Sequence, residues 1–201
     1  GGEISDPNKP SPSIRQWRGL HINARLCDGM AMILRDATLE GATALAALGA
    51  EAFSATFAHL YREQDLTAFL KASHSPEKVA AEIRDPNMRV QLAVDSSGTL
   101  LGFCKLVMAC GWRDHARAER VIELKQLYTA PGETGRGIGA ALMDWALEQA
   151  GAFEAGEVQL SVYCDNHGAQ RFYTRYGFAK VTDIYFLVGD QRDEEFLFAK
   201  L

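Results

Sequence analysis

The sequence predicts an α/β (α+β) domain in which helices flank one central sheet that is mixed and mostly antiparallel. Three observations predict this class. Several segments alternate apolar and polar residues with the period of two that is typical of strands. Longer segments between them have the apolar spacing of amphipathic helices. Two pairs of neighbouring strand segments, at residues 88–109 and 181–201, are separated by short turns, which favours antiparallel hairpins.

The composition is that of a globular chain. The 201 residues suit one domain or a domain with an appendage, and an apolar share of 47% allows a sizeable core. The net charge is −5 and both signs are interspersed, so nucleic acid is not expected as the main partner. No apolar run reaches the roughly 20 residues of a membrane helix, and the start lacks a secretory pattern. We therefore expect no membrane partner and a cytoplasmic location.

The N-terminal residues differ from the rest. The stretch GGEISDPNKPSPSIRQWRG is rich in Gly, Pro and Ser and has no periodic apolar face. This composition predicts a flexible N-terminal extension or an appended tail over residues 1–29. The folded domain is then expected over residues 30–201.

The first half of that domain is predicted to be mainly helical. A short strand at residues 32–37 precedes a helix over residues 38–61, with Thr38 as its candidate N-terminal cap. Two shorter helices are expected within residues 63–85. The second of them should begin at Ser75, because a proline follows it directly.

The second half is predicted to alternate strands and helices. Its elements are strands at 88–95 and 100–109, a loop at 111–120, a strand at 120–130, a helix at 137–149, a strand at 158–164, a helix at 166–177 and strands at 181–188 and 194–201. The complete predicted order is β-α-α-α-β-β-β-α-β-α-β-β.

The four cysteines are scattered along the chain and form no C-x-x-C motif. Cys164 and His167 have a C-x-x-H spacing, but no second pair accompanies them to complete a metal site. Reduced thiols are therefore favoured over a disulfide or a metal site.

The stretch TGRGIGAALM, which begins at Thr134, lies between a predicted strand and a predicted helix. Its glycines let the backbone approach a ligand closely, and the first N–H groups of the following helix lack intrahelical partners. Together with the helix dipole and Arg136, these features favour an anion site. Taken alone, a glycine-rich turn is more often structural than ligand-binding.

Two common nucleotide motifs fit this stretch poorly. No lysine follows the glycines, as the Walker loop requires. Gly135, Gly137 and Ala140 satisfy the relaxed dinucleotide pattern, but this match occurs late in the chain rather than in a first βα unit.

The surrounding sequence resembles a known family at two places. LYTAPGETGRGIGAALMDWAL resembles motif A of the GNAT superfamily of N-acetyltransferases, whose loop pattern is Q/R-x-x-G-x-G/A. Thr134, Gly137 and Gly139 stand at the pattern positions, and Thr134 departs from the usual Gln or Arg. Further along, LSVYCDNHGAQRFYTRYGF resembles motif B of the same family. The matching residues of motif B are Asn166, Ala169, Phe172, Tyr173, Gly177 and Phe178.

This resemblance covers residues 32–201 and implies an acetyl-CoA-dependent N-acetyltransferase without a metal. It also implies a GNAT-like sheet with two splayed parallel strands. The residues expected at the pyrophosphate are Thr134, Gly135, Arg136, Gly137, Ile138, Gly139 and Ala140. The pantetheine arm would pair like a strand with Leu127, Tyr128 and Thr129, and Asn166 would bond it from the far side.

Tyr173 is the candidate general acid, and as part of motif B it is also expected to contact the donor. A phenol with a pKa of about 10 can protonate a departing thiolate within hydrogen-bond reach. The alternative is a core tyrosine whose hydroxyl is satisfied by the backbone.

Glu123 is the candidate general base, acting through a water, because some family members place a catalytic glutamate at this distance before the loop. Strict alternation would place Glu123 with Leu127 on one face of the strand and Leu124 with Gln126 on the other. The alternative is a surface carboxylate paired with Lys125 or Arg120. The backbone N–H of residue 127 or 128 is the candidate oxyanion donor.

The acceptor is expected to be a small-molecule primary amine, bound by residues 53–70 and 111–120 and attacked directly in a ternary complex. The first segment and the chain end are loosely similar to bacterial spermidine/spermine N-acetyltransferases. A polyamine would suit carboxylates such as Glu63, Asp65 and Glu123. The alternatives are a peptide or protein N-acetyltransferase and a non-catalytic acetyl-CoA sensor. A homodimer through the C-terminal strands is also possible.

Overall fold

The computed structural model describes residues 23–27 and 30–201, with side chains from Met32 onward. The strands are β1 (Asn23–Cys27), β2 (Met30–Asp36), β3 (Met88–Asp95), β4 (Leu100–Val107), β5 (Val121–Thr129), β6 (Glu157–Tyr163), β7 (Ala179–Val188) and β8 (Gln191–Lys200). The helices are α1 (Ala42–Phe57), α2 (Glu63–His74), α3 (Pro76–Arg84), α4 (Ile138–Ala152) and α5 (His167–Arg175). From β2 onward, these strands and helices follow the predicted order.

The described strands form one eight-stranded sheet in the order β1-β2-β3-β4-β5-β6-β8-β7. All neighbours pair antiparallel except β5 and β6, which are parallel. The prediction of a mixed, mostly antiparallel sheet flanked by helices is confirmed.

The sheet begins inside the residues that the sequence assigned to a flexible extension. Strand β1 pairs with β2 from Asn23 opposite Leu34 to Cys27 opposite Met30. A five-residue edge strand is held by backbone hydrogen bonds, so it needs little apolar periodicity and is hard to recognise in sequence. The remainder of the predicted extension, residues 1–22, 28 and 29, lies outside the described residues.

Two apolar cores cover the two faces of the sheet. One core contains Leu142 of α4 and further residues of α4 and α5. The other contains Leu45 of α1 and Val79 of α3. Phe103 of β4 belongs to the second core and its neighbour Cys104 to the first, and successive side chains of a strand point to opposite faces. The sheet therefore has an α4–α5 face and an α1–α3 face.

Of the two predicted helix caps, one is present in the structure and the other is not. The Ser75 hydroxyl accepts a hydrogen bond from the Lys78 N–H at 3.2 Å, so Ser75 caps α3 as predicted. Thr38 instead precedes a short 3-10 turn, Leu39–Gly41, and its side chain makes no capping bond. Helix α1 begins only at Ala42, so the prediction of a cap at Thr38 is wrong.

Candidate active site

Strands β5 and β6 diverge in the centre of the sheet. Their pairing is limited to the first three residues of each strand and ends at Glu123 opposite Gln159. Beyond this pair β5 keeps β4 as its neighbour, whereas no strand of the described sheet pairs with its other edge. A cavity of about 580 Å³ opens there, lined by residues of β5, β6, β8, the helices α1, α2 and α5, and neighbouring segments; it is called the cleft below. The expected splayed pair of parallel strands is present.

A β-bulge in β5 decides which of its side chains face which side of the sheet. Lys105 of β4 pairs with Gln126, but the next β4 residue, Leu106, pairs with Leu124. Lys125 is thus the extra residue of the bulge, with no partner across the two strands.

The bulge makes the predicted grouping of β5 side chains wrong. Leu124 and Leu127 both pack into the α4–α5 core, although strict alternation placed them on opposite faces. Gln126 lies opposite Lys105, whose ammonium group bonds to α3, so Gln126 belongs to the α1–α3 face. Glu123, which precedes Leu124, shares that face. The inserted residue therefore brings Glu123 and Gln126 to the same side of the cleft.

Glu123 lies at the fork where the two strands separate. Its carboxylate lines the cleft and is closely packed by the backbone of Gly111, because a Cβ atom at Gly111 would lie 2.8 Å from Oε2. Burial raises the pKa of Glu123, and the nearby Lys125 ammonium opposes this only in part. A carboxyl group in this state exchanges protons nearer to neutral pH than an exposed one.

Two buried polar residues of β6 hold the loop over Glu123. Gln159 accepts a hydrogen bond from the Trp112 N–H at 3.2 Å and donates one to the Trp112 carbonyl at 3.3 Å. The Glu157 carboxylate accepts one from the Arg117 N–H at 2.6 Å. The sequence analysis did not identify these residues, although polar residues in an otherwise apolar strand segment are a recognisable sign of a buried role.

Tyr173 approaches the cleft from the opposite face of the sheet. It is buried in the α4–α5 core and lines the cleft. Its ring packs edge-on against Phe172 and Phe178, with centroid distances of 5.5 and 5.9 Å. Burial raises the pKa of its hydroxyl well above the ordinary range, with smaller contributions from Cys104 and Tyr128. The hydroxyl therefore keeps its proton at neutral pH.

The glycine turn is shaped by backbone conformation. Gly135 and Gly137 have φ of +86° and +79°, a region that residues with a side chain rarely adopt. Gly137 is the residue before α4, and the first helical bond of α4 runs from the Ala141 N–H to the Gly137 carbonyl at 3.0 Å. The N–H groups of Ile138, Gly139 and Ala140 precede this bond and have no partner within the helix.

The other residues of the turn have weaker constraints. A Cβ atom at Gly139 would meet its nearest neighbours at 3.7 Å, an ordinary contact. Arg136 forms an ion pair with Glu133 in the same turn. Thr134 lines the cleft, next to the end of β5.

The residues expected along the donor arm lie on both sides of the cleft. Leu127, Tyr128 and Thr129 line it from the unpaired edge of β5, and Asn166 lines it from the start of α5. The Asn166 side-chain oxygen accepts a hydrogen bond from the Ala169 N–H at 3.1 Å, which caps α5. This bond leaves the amide NH₂ as the group of Asn166 that can donate to a ligand.

Aromatic side chains line the end of the cleft on the α1–α3 face. Both segments expected to bind the acceptor contribute to it, through Phe53, Phe57, Tyr61 and Phe69 from one and Trp112 from the other. The residues that sequence analysis missed here are Tyr163, Phe186 and Glu195. They come from strands β6, β7 and β8, and only tertiary folding brings them beside α1 and α2.

Two of the three carboxylates predicted at this end lie elsewhere. Asp65 is buried and accepts hydrogen bonds from Arg62 Nε at 2.6 Å and from the Asp190 N–H at 3.4 Å. It ties α2 to the turn between β7 and β8. Glu63 is exposed, on a shallow outer surface of α2, and does not line the cleft. Of the three, only Glu123 faces the cleft.

Some further groups of the described residues complete the chemical inventory. No cluster of three or more His, Cys, Asp or Glu side chains in the described part of the chain is arranged to hold a metal ion. Cys104, Cys110 and Cys164 are free thiols. Burial and the neighbouring Asp165 raise the pKa of Cys164, which works against a thiolate nucleophile there.

None of the described helices is long and apolar enough to span a membrane.

The fold and the cleft together define a class of protein. The splayed parallel pair, the glycine turn that starts α4 and the cleft between the diverging strands are the features that the resemblance to N-acetyltransferases implies. Residues 51–178 match the model of the Acetyltransferase (GNAT) family, which is more than half of the chain. The chain belongs to this family, and it is an N-acetyltransferase that uses acetyl-CoA.

Named relatives are similar over most of the chain. It is 28% identical to an uncharacterized N-acetyltransferase of Lactobacillus delbrueckii subsp. lactis, over 77% of this chain and 88% of the relative. It is 32% identical to the aminoalkylphosphonate N-acetyltransferase of Salmonella typhimurium, over 72% of this chain and 83% of that protein.

A solved structure shares the fold. The PaiA N-acetyltransferase of Thermoplasma acidophilum, in complex with coenzyme A, superposes with a TM-score of 0.69 over 85% of this chain and 99% of that one, at 24% identity. This similarity supports the architecture described above and no more than that.

Proposed function

We propose that the chain transfers the acetyl group of acetyl-CoA to the primary amine of a small cationic molecule, by direct attack in a ternary complex. The observation that carries this proposal is the cleft itself, because the divergence of β5 and β6 connects the two faces of the sheet. A donor on the α4–α5 face and an acceptor on the α1–α3 face can therefore meet at one place.

The donor side has groups that suit acetyl-CoA. The N–H groups of Ile138, Gly139 and Ala140 at the start of α4 match the pyrophosphate, and the adjoining turn brings Thr134 and Arg136 close to it. The amide-rich pantetheine arm matches the unpaired edge of residues 127–129, as an added strand would. The Asn166 amide can donate to this arm from across the cleft.

Acetyl-CoA supplies an activated acetyl group whose carbon can be attacked by an amine. Glu123 prepares the amine, because an alkylamine with a pKa of about 10.4 is mostly protonated at neutral pH. Its carboxylate accepts that proton, through a water or directly. Antiparallel pairing turns the N–H groups of alternate β5 residues toward β4, so the backbone N–H of either Leu127 or Tyr128 is directed into the cleft. This N–H stabilises negative charge on the carbonyl oxygen.

Tyr173 completes the reaction by protonating the sulfur that leaves, and the second proton that the nitrogen loses as the amide forms restores the phenol. Its hydroxyl keeps its proton at neutral pH, because burial raises its pKa. A fully protonated phenol at the α4–α5 side of the cleft suits a general acid better than a base. The two proton transfers are thus assigned to different residues on different faces of the sheet.

The acceptor end favours a cation over an anion. Its aromatic rings suit a cationic alkyl chain, and two carboxylates that line the cleft, Glu123 and Glu195, form no salt bridge within the described part of the chain. A polyamine fits this chemistry. A phosphonate-bearing amine, as named for the Salmonella relative, would place its negative charge beside these carboxylates.

A thiol-release assay with acetyl-CoA tests the proposal. The panel contains spermidine, spermine, simple alkylamines, an aminoalkylphosphonate and peptides with free N-termini. Polyamine-dependent release of CoA is expected. Release with peptides alone would support the peptide transferase, and acetyl-CoA binding without turnover would support a sensor.

Tyr173→Phe tests the role of the hydroxyl. We expect kcat to fall by about 10²–10⁴-fold, the usual range for loss of a general acid. Tyr185→Phe is the matched control, because Tyr185 is exposed on β7 and does not line the cleft. Equal rates for the two variants would remove Tyr173 from the mechanism.

A further inference from the structure

Glu195 is a carboxylate at the acceptor end whose hydrogen bonding is incomplete. It lies on β8 opposite Tyr163 of β6, and both residues line the cleft. Phe196 and Phe198, with the opposite parity along β8, pack into or against the α4–α5 core. The side chain of Glu195 therefore projects on the α1–α3 face, where the acceptor is proposed to bind.

One oxygen of this carboxylate has no partner. The Ser161 hydroxyl hydrogen-bonds to the Glu195 side chain, but Glu195 Oε2 is buried without any hydrogen-bond partner. Burial and the neighbouring Asp193 raise the pKa of Glu195, and Ser161 alone works in the other direction. No cationic side chain is among the groups that act on it. An unpaired buried carboxylate is costly, so its place in a binding cavity calls for a ligand donor.

The neighbouring acid on the same strand shows the contrast. Asp193 accepts hydrogen bonds from the Tyr61 hydroxyl and from Gln191 Nε2, the latter at 2.9 Å. Its carboxylate is thus satisfied inside the protein and ties the segment that follows α1 to β8. Glu195, two residues further along the same face, has no such partners for Oε2.

The surroundings of Glu195 suit a cation on an apolar chain. The rings of Phe57 and Tyr163 meet edge-to-face at 5.9 Å, and Phe69 and Phe186 do so at 5.7 Å. All four rings line the cleft. Aromatic faces attract ammonium groups and also pack against methylene chains.

Glu195 is well separated from the proposed base. Glu123 pairs with Gln159, and Tyr163, which is opposite Glu195, lies four residues further along β6. At a strand rise of about 3.3 Å and a strand spacing of about 4.8 Å, the Cα atoms of the two glutamates are about 16 Å apart. The two side chains thus serve different parts of a bound acceptor.

We propose that Glu195 binds a second ammonium group of the acceptor and thereby selects linear diamines and polyamines over monoamines. This inference rests on the proposed acetyltransferase function. The reacting amine lies near Glu123, and the distal ammonium donates hydrogen bonds to Glu195 Oε2 among the aromatic rings. The spacing of the two amines should therefore decide how well an acceptor binds.

The experiment compares α,ω-diaminoalkanes of three to eight carbons with alkylamines of the same chain lengths, using the full-length protein. In the wild type, kcat/KM for the best diamine should exceed that for the matching monoamine by at least tenfold. Glu195→Gln should remove this preference by raising KM for the diamine about tenfold or more, while kcat and the monoamine KM stay within about threefold. A tenfold change in KM corresponds to about 1.4 kcal/mol.

Glu194→Gln is the matched control, because Glu194 is exposed, carries the same charge and adjoins Glu195 on β8 without lining the cleft. It should retain the diamine preference. Calorimetric titration of the best diamine into both variants gives a second readout that does not require turnover, and weaker binding is expected for Glu195→Gln only.

Two results would overturn the inference. One is an unchanged diamine preference in Glu195→Gln, and the other is an equal loss for diamines and monoamines. Both are distinct from a failure of the proposed function, which would appear as an absence of CoA release with every amine in the wild type.

Discussion

The substitution Glu123→Gln distinguishes a catalytic role of this carboxylate from a structural one. The substitution keeps the size of the side chain and its position against Gly111 but removes its ability to accept a proton. Loss of a general base costs about 10²–10⁴-fold in kcat/KM. At about 1.36 kcal/mol for each tenfold step, this corresponds to about 2.7–5.4 kcal/mol in the activation barrier.

The pH profile gives an independent prediction for the same variant. Glu123 must be ionised to act as a base, and burial raises its pKa above the ordinary value of about 4.3. Activity of the wild type should therefore fall as the pH drops through this raised pKa. Glu123→Gln should lose this acid limb, because glutamine does not titrate.

Stability should change in the opposite direction from activity. A raised pKa means that the folded protein binds the Glu123 proton more tightly than the unfolded chain does. The stabilisation from this bound proton is present below the unfolded pKa and is lost as the pH rises through the folded pKa. Near pH 8 the neutral glutamine should leave Tm unchanged or raise it. A structural glutamate would instead show a lower Tm on substitution.

The assay is steady-state thiol release between pH 5 and pH 9, with thermal melts of the same samples. Glu119→Gln is the control, because Glu119 is an exposed residue of the loop before β5. The reasoning is refuted if Glu123→Gln keeps the wild-type acid limb, or if its activity and Tm fall together.

Two further predictions concern the framework of the cleft. Lys105→Met should lower the free energy of unfolding by about 3–5 kcal/mol, because it leaves Glu82, its buried partner at 2.7 Å, without that cation. In a denaturant titration, the double variant Lys105→Met with Glu82→Gln should recover most of this loss. Equal stabilities of the single and double variants would contradict the prediction. Gly137→Ala should cost about 1–2 kcal/mol and raise KM for acetyl-CoA, because φ is +79° at the start of α4, whereas Gly151→Ala, with open space around the added Cβ, should leave KM unchanged.

The order of elements was predictable because it depends on local patterns. The hairpin of β3 and β4, the capped start of α3 and the glycine turn before α4 each have their cause within a few residues of sequence. The two family motifs located the cleft for the same reason, since each is a continuous segment.

Which side chains face the cleft was less predictable, because strand pairing decides their orientation. The segment VIELKQLYT alone does not indicate that Lys125 is an extra residue, because the bulge exists only relative to β4. Asp65 looked like an acceptor ligand until folding placed Asp190 beside it, 125 positions along the chain. Glu195 was missed for the converse reason, because its neighbours in sequence say nothing about Ser161 or the aromatic rings of α1 and α2.

In the proposed mechanism, the bulge lets one strand serve both substrates. Without the extra residue, Glu123 and Leu127 would share a face, and so would Leu124 and Gln126. With it, Leu124 and Leu127 pack together on the α4–α5 face, and Glu123 and Gln126 face α1–α3. The same strand then offers a polar wall to an amine on one face, an apolar wall beside Tyr173 on the other, and an unpaired backbone edge between them. In the proposed mechanism, Glu123 takes a proton from the acceptor on one face of the sheet, and Tyr173 gives its own proton to the leaving sulfur on the other. The amine attacks the acetyl carbon directly between them.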